Sequence, residues 1–123
     1  MRPEDIPAID LRLRTARIED GIFLIEVEGE LDLYSSAELM RTVENVVARD
    51  ASAVVVDLSR TTFIDSTGLS VLVAGTKLMR TRGDAFHLAG TTPATTAALT
   101  SAGLESFFSL SPTVADAVAL AAQ

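Results

Sequence analysis

Residues 53–75 read AVVVDLSRTTFIDSTGLSVLVAG, and the way this stretch divides decides the fold. Residues 53–58 open a continuous run rich in valine with no polar alternation. That is the pattern of a strand buried on both faces of a parallel sheet. From Ser66 the spacing changes: Leu69, Leu72 or Val73, and Met79 fall on one helical stripe, which predicts a helix from Ser66 to Arg82. Arg80 and Arg82 suit its negative end, and Gly83 suits the position just beyond it. A buried strand that passes into a helix is half of a βαβ unit. At the junction stand Asp65, Ser66, Thr67 and Gly68, an acid, two hydroxyls and a glycine.

On the N-terminal side, LRLRTARIED (11–20) and IFLIEVEGE (22–30) alternate apolar and polar around a turn at Glu19-Asp20-Gly21. They predict a β-hairpin, with Ile22, Leu24 or Ile25, and Val27 available for one face. SSAELMRTVENVVARD (35–50) predicts a helix capped by Ser35 or Ser36, with Glu38 in capping-box spacing from Ser35. Its inward stripe is Leu39, Val43 and Val46 or Val47. Beyond the second helix, AFHLAG (85–90) reads as a short strand. PATTAALTSAG (93–103) reads as a helix with Pro93 in its first turn and Gly103 closing it. SFFSL (106–110) reads as a last strand and residues 111–123 as a last helix. The expected order is ββαβαβαβα around one mixed sheet, an α/β domain spanning residues 10–123 behind a loose leader of residues 1–9.

Composition narrows the chemistry. A chain of 123 residues suits one domain. Its 48% hydrophobic content and mean hydropathy of +0.33 exclude a disordered chain, and with 5% aromatics the core must come from aliphatic residues. A net charge of −7 disfavours nucleic acid and anionic membranes as partners and favours a basic protein surface. The absence of cysteine removes disulfides, thiolate catalysis and the common structural zinc sites; the single histidine, His87, leaves no histidine-based metal cluster. MRPEDIPAID is unlike a signal peptide, and the longest apolar run is too short to span a bilayer, so a cytoplasmic protein is expected.

Several catalytic patterns fail at the junction. A P-loop needs glycines leading into Lys-Ser/Thr, whereas Lys77 follows Gly75-Thr76 in mid-helix. A nucleophile elbow needs glycines on both sides of the serine. An aspartic protease needs Asp-Ser/Thr-Gly, and here two residues separate Asp65 from Gly68. A phospho-accepting aspartate of the receiver type would be Asp57, but neither the paired acids after the first strand nor the lysine after the last is in place. Structural roles remain open for all these residues. Ser66 or Thr67 can cap the helix, Asp65 favours its positive end, and Gly68 relieves crowding in its first turn. Asp32 reads as a loop or cap residue, and His87 as a hydrogen-bonded strand residue.

GELDLYSSAEL (29–39) taken together with VVVDLSRTTFIDSTGLSVLV (54–73) resembles the STAS-domain family, specifically its bacterial anti-sigma factor antagonists. The resemblance covers the whole ββαβαβαβα order. It implies that Ser66, directly after the aspartate, is phosphorylated by a partner anti-sigma factor with serine kinase activity. The unphosphorylated chain would bind that partner and free the sigma factor, phosphorylation would end the binding, and a PP2C-type phosphatase would reset the switch. Asp32, Asp65, Ser66, Thr67, Gly68 and Leu69 would then form the partner-binding surface. The chain would be a substrate with no turnover and no cofactor of its own. Ser70 departs from the glycine that many members carry after Gly-Leu. A second reading within the same family is a non-phosphorylated STAS module serving as a scaffold or transport-complex subunit.

Overall fold

The computed structural model describes residues 11–123, so the expected leader at 1–9 lies outside the described residues. The described residues form nine elements: β1 (Leu11–Glu19), β2 (Ile22–Leu31), α1 (Ser36–Val47), β3 (Ala53–Ile64), α2 (Ser66–Thr81), β4 (Ala85–Ala89), α3 (Pro93–Ser101), β5 (Ser109–Ser111) and α4 (Val114–Ala121). The expected order holds. The five strands form one sheet in the order β1-β2-β3-β4-β5. β1 is antiparallel to β2, and every later neighbour is parallel. The sheet is mixed because a tight hairpin can reverse a strand, whereas each parallel return needs a helix to carry the chain back.

β2 corrects the one-faced reading of the hairpin. Its first four residues, Ile22 to Ile25, are all buried. Phe23, Ile25 and Val27 join α1 and α2 in the larger core cluster, while Ile22 and Leu24 join Ala53, Val55 and Ala117 in a smaller one against α4. Helices on both sides therefore bury both faces of the strand. Leu39, Val43 and Val46 of α1 and Leu69, Leu72 and Met79 of α2 point inward as their spacing predicts, with Val47 and Val73 partly buried beside them.

β3 runs twelve residues, well past the apolar run that announced it. Beyond Asp57 it pairs with β2, and there it carries two extra residues, one between the pairs Glu26↔Asp57 and Glu28↔Arg60 and one between Gly29↔Thr61 and Glu30↔Phe63. Extra residues of this kind leave the ladder locally unpaired and increase the twist of a strand on its way to Asp65. At its other end α2 stops as expected. Gly83 (φ +77°) turns the chain, its amide bonds Arg80 O, and the Asp84 amide bonds Met79 O, the Schellman pattern. The Arg82 guanidinium donates to Val47 O and pairs with Asp84 at 3.3 Å.

The last strand shifts from the expected 106–110 to Ser109–Ser111. Phe107 and Phe108 do not pair in the sheet. They meet edge to face at 5.1 Å, Phe108 fills the core, and Arg80 lies over the Phe107 ring at 4.8 Å while donating to its carbonyl. The two rings plug the α3–β5 connection, a use that resembles strand propensity in the sequence.

Candidate functional site

The parallel strands β2 and β3 end side by side. Leu31 pairs with Ile64, and the Asp65 amide donates to Leu31 O at 3.0 Å. The next residues of each strand therefore meet at one edge, where α2 begins and the β2–α1 loop turns. This places Asp32, Asp65, Ser66, Thr67, Gly68 and Leu69 together, as the paired motifs imply.

The helix cap is Asp65, not Ser66 or Thr67. Its extended backbone (φ −105°, ψ −173°) directs the carboxylate over the first turn, where Oδ1 accepts from the amides of Thr67 at 2.9 Å and Gly68 at 3.0 Å. These are two of the amides that a helix start leaves without partners. The Thr67 hydroxyl donates to the same oxygen. Oδ2 accepts from the Leu33 amide at 3.1 Å. The Thr67 hydroxyl does most to hold the Asp65 carboxyl below its usual 3.8. Partial burial works against it, and the amides of Gly68, Thr67 and Leu33 reinforce it. Asp65 is thus a carboxylate at neutral pH.

The three hydroxyls at this corner differ in freedom. Thr67 is committed to Asp65, and Ser70 donates back to Ser66 O at 2.8 Å. Ser66, the first helical residue, is exposed, and among the described residues its Oγ makes no hydrogen bond. An exposed, unbonded hydroxyl is what an incoming phosphoryl group requires.

Gly68 and Leu69 support the site from beneath. A Cβ on Gly68 would lie 2.9 Å from Leu31 Cβ, Leu31 O and Ile64 Cγ1, so only glycine lets α2 start against the strand ends. Leu69 is buried, and with Ser66, Ser70, Val73, Ala102 and Leu104 it lines a shallow groove of about 270 Å³.

The β2–α1 loop is built by Asp32 and Ser35 in a way that capping-box spacing did not predict. Ser35 Oγ does not bond an α1 amide. It accepts from the Asp32 amide at 3.0 Å and donates to Glu30 O at 2.7 Å, while Asp32 Oδ1 accepts from the amides of Tyr34 and Ser35. Asp32 is therefore a loop-forming residue as well as an acidic neighbour of the site. The loop displays Leu33 and Tyr34, 64% and 89% exposed, and Phe63 at the end of β3 is 47% exposed. The sequence reading missed all three. Their only signal was apolar side chains in the polar frame LDLYSS and TTFID, where a strand reading absorbs them. Apolar groups beside carboxylates make a surface suited to a partner that is both apolar and basic.

Other candidates lie elsewhere. Asp57 accepts from the Ser59 amide at 2.9 Å and faces Arg12, Arg14, Glu26, Glu28 and Arg60 around a cleft of about 20 Å³, room for little beyond a water molecule. His87 Nδ1 lies 2.7 Å from Ser109 Oγ, as expected of a hydrogen-bonded strand residue. No group of His, Asp and Glu able to hold a metal occurs among the described residues, and none of their helices is long and apolar enough to cross a membrane.

Comparison with known proteins places this geometry. The anti-sigma-F factor antagonist RsfB of Mycobacterium tuberculosis is 37% identical over 60 residues, 49% of each chain; the chain thus aligns with about half the length of the curated relatives it matches. The crystal structure of an anti-sigma factor antagonist from Mycobacterium paratuberculosis superposes with a TM-score of 0.85 at 29% identity, covering 96% of this chain and all of that one. SpoIIAA in its unphosphorylated form shares the fold, with a TM-score of 0.76 at 16% identity over 87% of this chain and 93% of that one. The profile of the STAS domain matches residues 14–117. With that match over most of its length, its mixed five-stranded sheet and its Asp65-capped α2, the chain belongs to the STAS-domain family.

Proposed function

We infer that this STAS domain is an anti-sigma factor antagonist controlled by phosphorylation of Ser66. In its free form it binds an anti-sigma factor with serine kinase activity and so releases a sigma factor in the cytoplasm. The observation that carries the reading is the Ser66 hydroxyl, exposed and unbonded among the described residues, while the neighbouring hydroxyls of Thr67 and Ser70 are engaged. The antagonists among its relatives support the partner class.

The chemistry asks little of the chain itself. The kinase supplies ATP, magnesium and a base. Ser66 Oγ bonds to the γ-phosphorus as the bond to ADP breaks, and the serine proton passes to that base. The chain is a phosphoryl acceptor rather than a catalyst. The product carries about −1.5 to −2 charges at a helix start, where negative charge is tolerated, so the fold need not melt. The contact surface changes instead. A partner that seats apolar groups against Leu33, Tyr34 and the Ser66 hydroxyl would have to strip water from the added dianion, and the carboxylates of Asp65 and Asp32 beside it raise that cost. A PP2C-type phosphatase restores the binding form.

Phosphosite mapping on the chain recovered from its native cells, with co-purified proteins identified in the same run, tests the reading. Phosphate on Ser66 in one pool and an ATP-binding anti-sigma factor attached to the other is the expected result. An unmodified Ser66 under all growth conditions, with scaffold or transport proteins attached, refutes it.

A further inference from the structure

The two oxygens of Asp65 serve different elements. Oδ1 caps α2, and an N-cap needs no more than that. Oδ2 turns away from the helix to the Leu33 amide. The remaining hydrogen bonds of residues 32–35 stay within residues 30–38: the Tyr34 and Ser35 amides donate to Asp32 Oδ1, the Asp32 amide to Ser35 Oγ, the Ser35 hydroxyl to Glu30 O and Asp32 Oδ1, the Ser36 amide to Asp32 O and the Glu38 amide to Ser35 O. Among the described residues, Leu33 N to Asp65 Oδ2 is thus the one hydrogen bond that ties residues 32–35 to α2 or its cap. Those residues include Leu33 and Tyr34, the most exposed large apolar side chains described.

Resting on the functional reading above, we propose that Asp65 is a positioning residue: its carboxylate locks the Leu33–Tyr34 loop to the start of α2, so that the anti-sigma factor meets the Ser66 hydroxyl and two apolar side chains as one rigid surface. Pre-organisation of this kind spares the complex the cost of ordering a loop on binding. The carboxylates of Asp65 and Asp32 accept from the amides of Leu33 and Tyr34, so acid flanks the apolar pair and the matching patch on the partner is apolar with a basic rim. The aspartate before the serine then has a role that a cap alone does not explain. Asparagine caps a helix as well as aspartate does, but it offers only one acceptor oxygen.

Asp65→Asn separates the two roles. Its oxygen keeps the cap, and its amide group meets the Leu33 N–H donor to donor. Hydrogen exchange by NMR should show the Leu33 amide exchanging about tenfold faster while the Thr67 and Gly68 amides stay protected. Affinity for the anti-sigma factor kinase recovered with the wild-type chain, and the rate at which it phosphorylates Ser66, should each fall about tenfold. Tyr34→Ala, at a position too exposed to affect folding, should weaken the same binding. An unchanged Leu33 amide in Asp65→Asn overturns the proposal, as does a released amide with intact binding, or full affinity in Tyr34→Ala. A wild-type chain that binds no ATP-binding anti-sigma factor instead overturns the functional reading, and the proposal's functional half with it. The Leu33 exchange still reports the lock by itself.

Discussion

Gly68→Ala tests how tightly the start of α2 is seated. The added Cβ would stand 2.9 Å from three atoms: Leu31 Cβ, Leu31 O and Ile64 Cγ1. Ordinary carbon contacts lie near 3.5–4.0 Å, so the helix start must lift by roughly half an ångström or more. A long side chain could rotate away, but a carbonyl and a Cβ in a paired strand cannot. Overpacking of this kind costs about 1–3 kcal/mol, and the immobile neighbours place the cost in the upper half of that range. Alanine in place of glycine returns about 1 kcal/mol of helix propensity. The net expectation is a loss of about 1–2 kcal/mol. Urea denaturation should show a lower midpoint at unchanged slope, and thermal unfolding a Tm lower by roughly 3–8 °C. Ser70→Ala, two residues on and exposed, supplies the contrast. It removes only a hydroxyl that bonds back to Ser66 O, and it should be neutral or slightly stabilising. A Gly68→Ala protein as stable as the wild type would refute the reasoning, because the clash would then be one the fold absorbs freely.

Thr67→Val should cost about 1 kcal/mol and raise the Asp65 pKa toward 3.8, as followed by NMR titration, since the Thr67 hydroxyl does most to lower it. Ser66→Ala, which removes an exposed and unbonded hydroxyl, should leave stability within about 0.5 kcal/mol. Burial holds His87 below its usual 6.5, so the imidazole stays neutral in the fold while the unfolded chain takes up a proton more readily. Stability should therefore decline as pH falls below about 6.5 and level off beneath the folded value; denaturation midpoints of His87→Gln should lack that decline, and parallel profiles would contradict it. Arg80→Ala should lose about 1 kcal/mol in thermal unfolding through its contacts with the Phe107 ring and carbonyl, and Arg80→Lys should restore less than half of that.

The sequence carried most of the architecture because its periods changed where its elements changed. The valine run of β3 and the Leu69–Leu72–Met79 stripe of α2 each match one geometry and exclude the other. What was hidden depended on neighbours. The second half of β3 is polar because it pairs with β2 at the exposed end of the sheet, and its two bulges break the alternation that would mark a strand. Phe107 and Phe108 have the composition of a strand but fill a core and a loop. At the site, residue identities pointed to the corner, yet the assignment of roles within it failed locally. Asp65, Ser66 and Thr67 can each accept a helix amide. Only the backbone leaving the second bulge decides that Asp65 does so and that Ser66 remains unbonded. Asp65 also bonds an amide thirty-two residues away, a contact that no local pattern encodes.

The switch proposed for this chain is a phosphate on Ser66. The direct measurement is calorimetric titration of the co-purified anti-sigma factor with the plain chain, the Ser66-phosphorylated chain and Ser66→Ala, each confirmed as folded. Equal, tight binding by the plain chain and Ser66→Ala is expected. Affinity weaker by about a hundredfold or more is expected for the phosphorylated chain, as a dianion stripped of water in an apolar contact demands. Equal affinity of the phosphorylated and plain chains would contradict the switch.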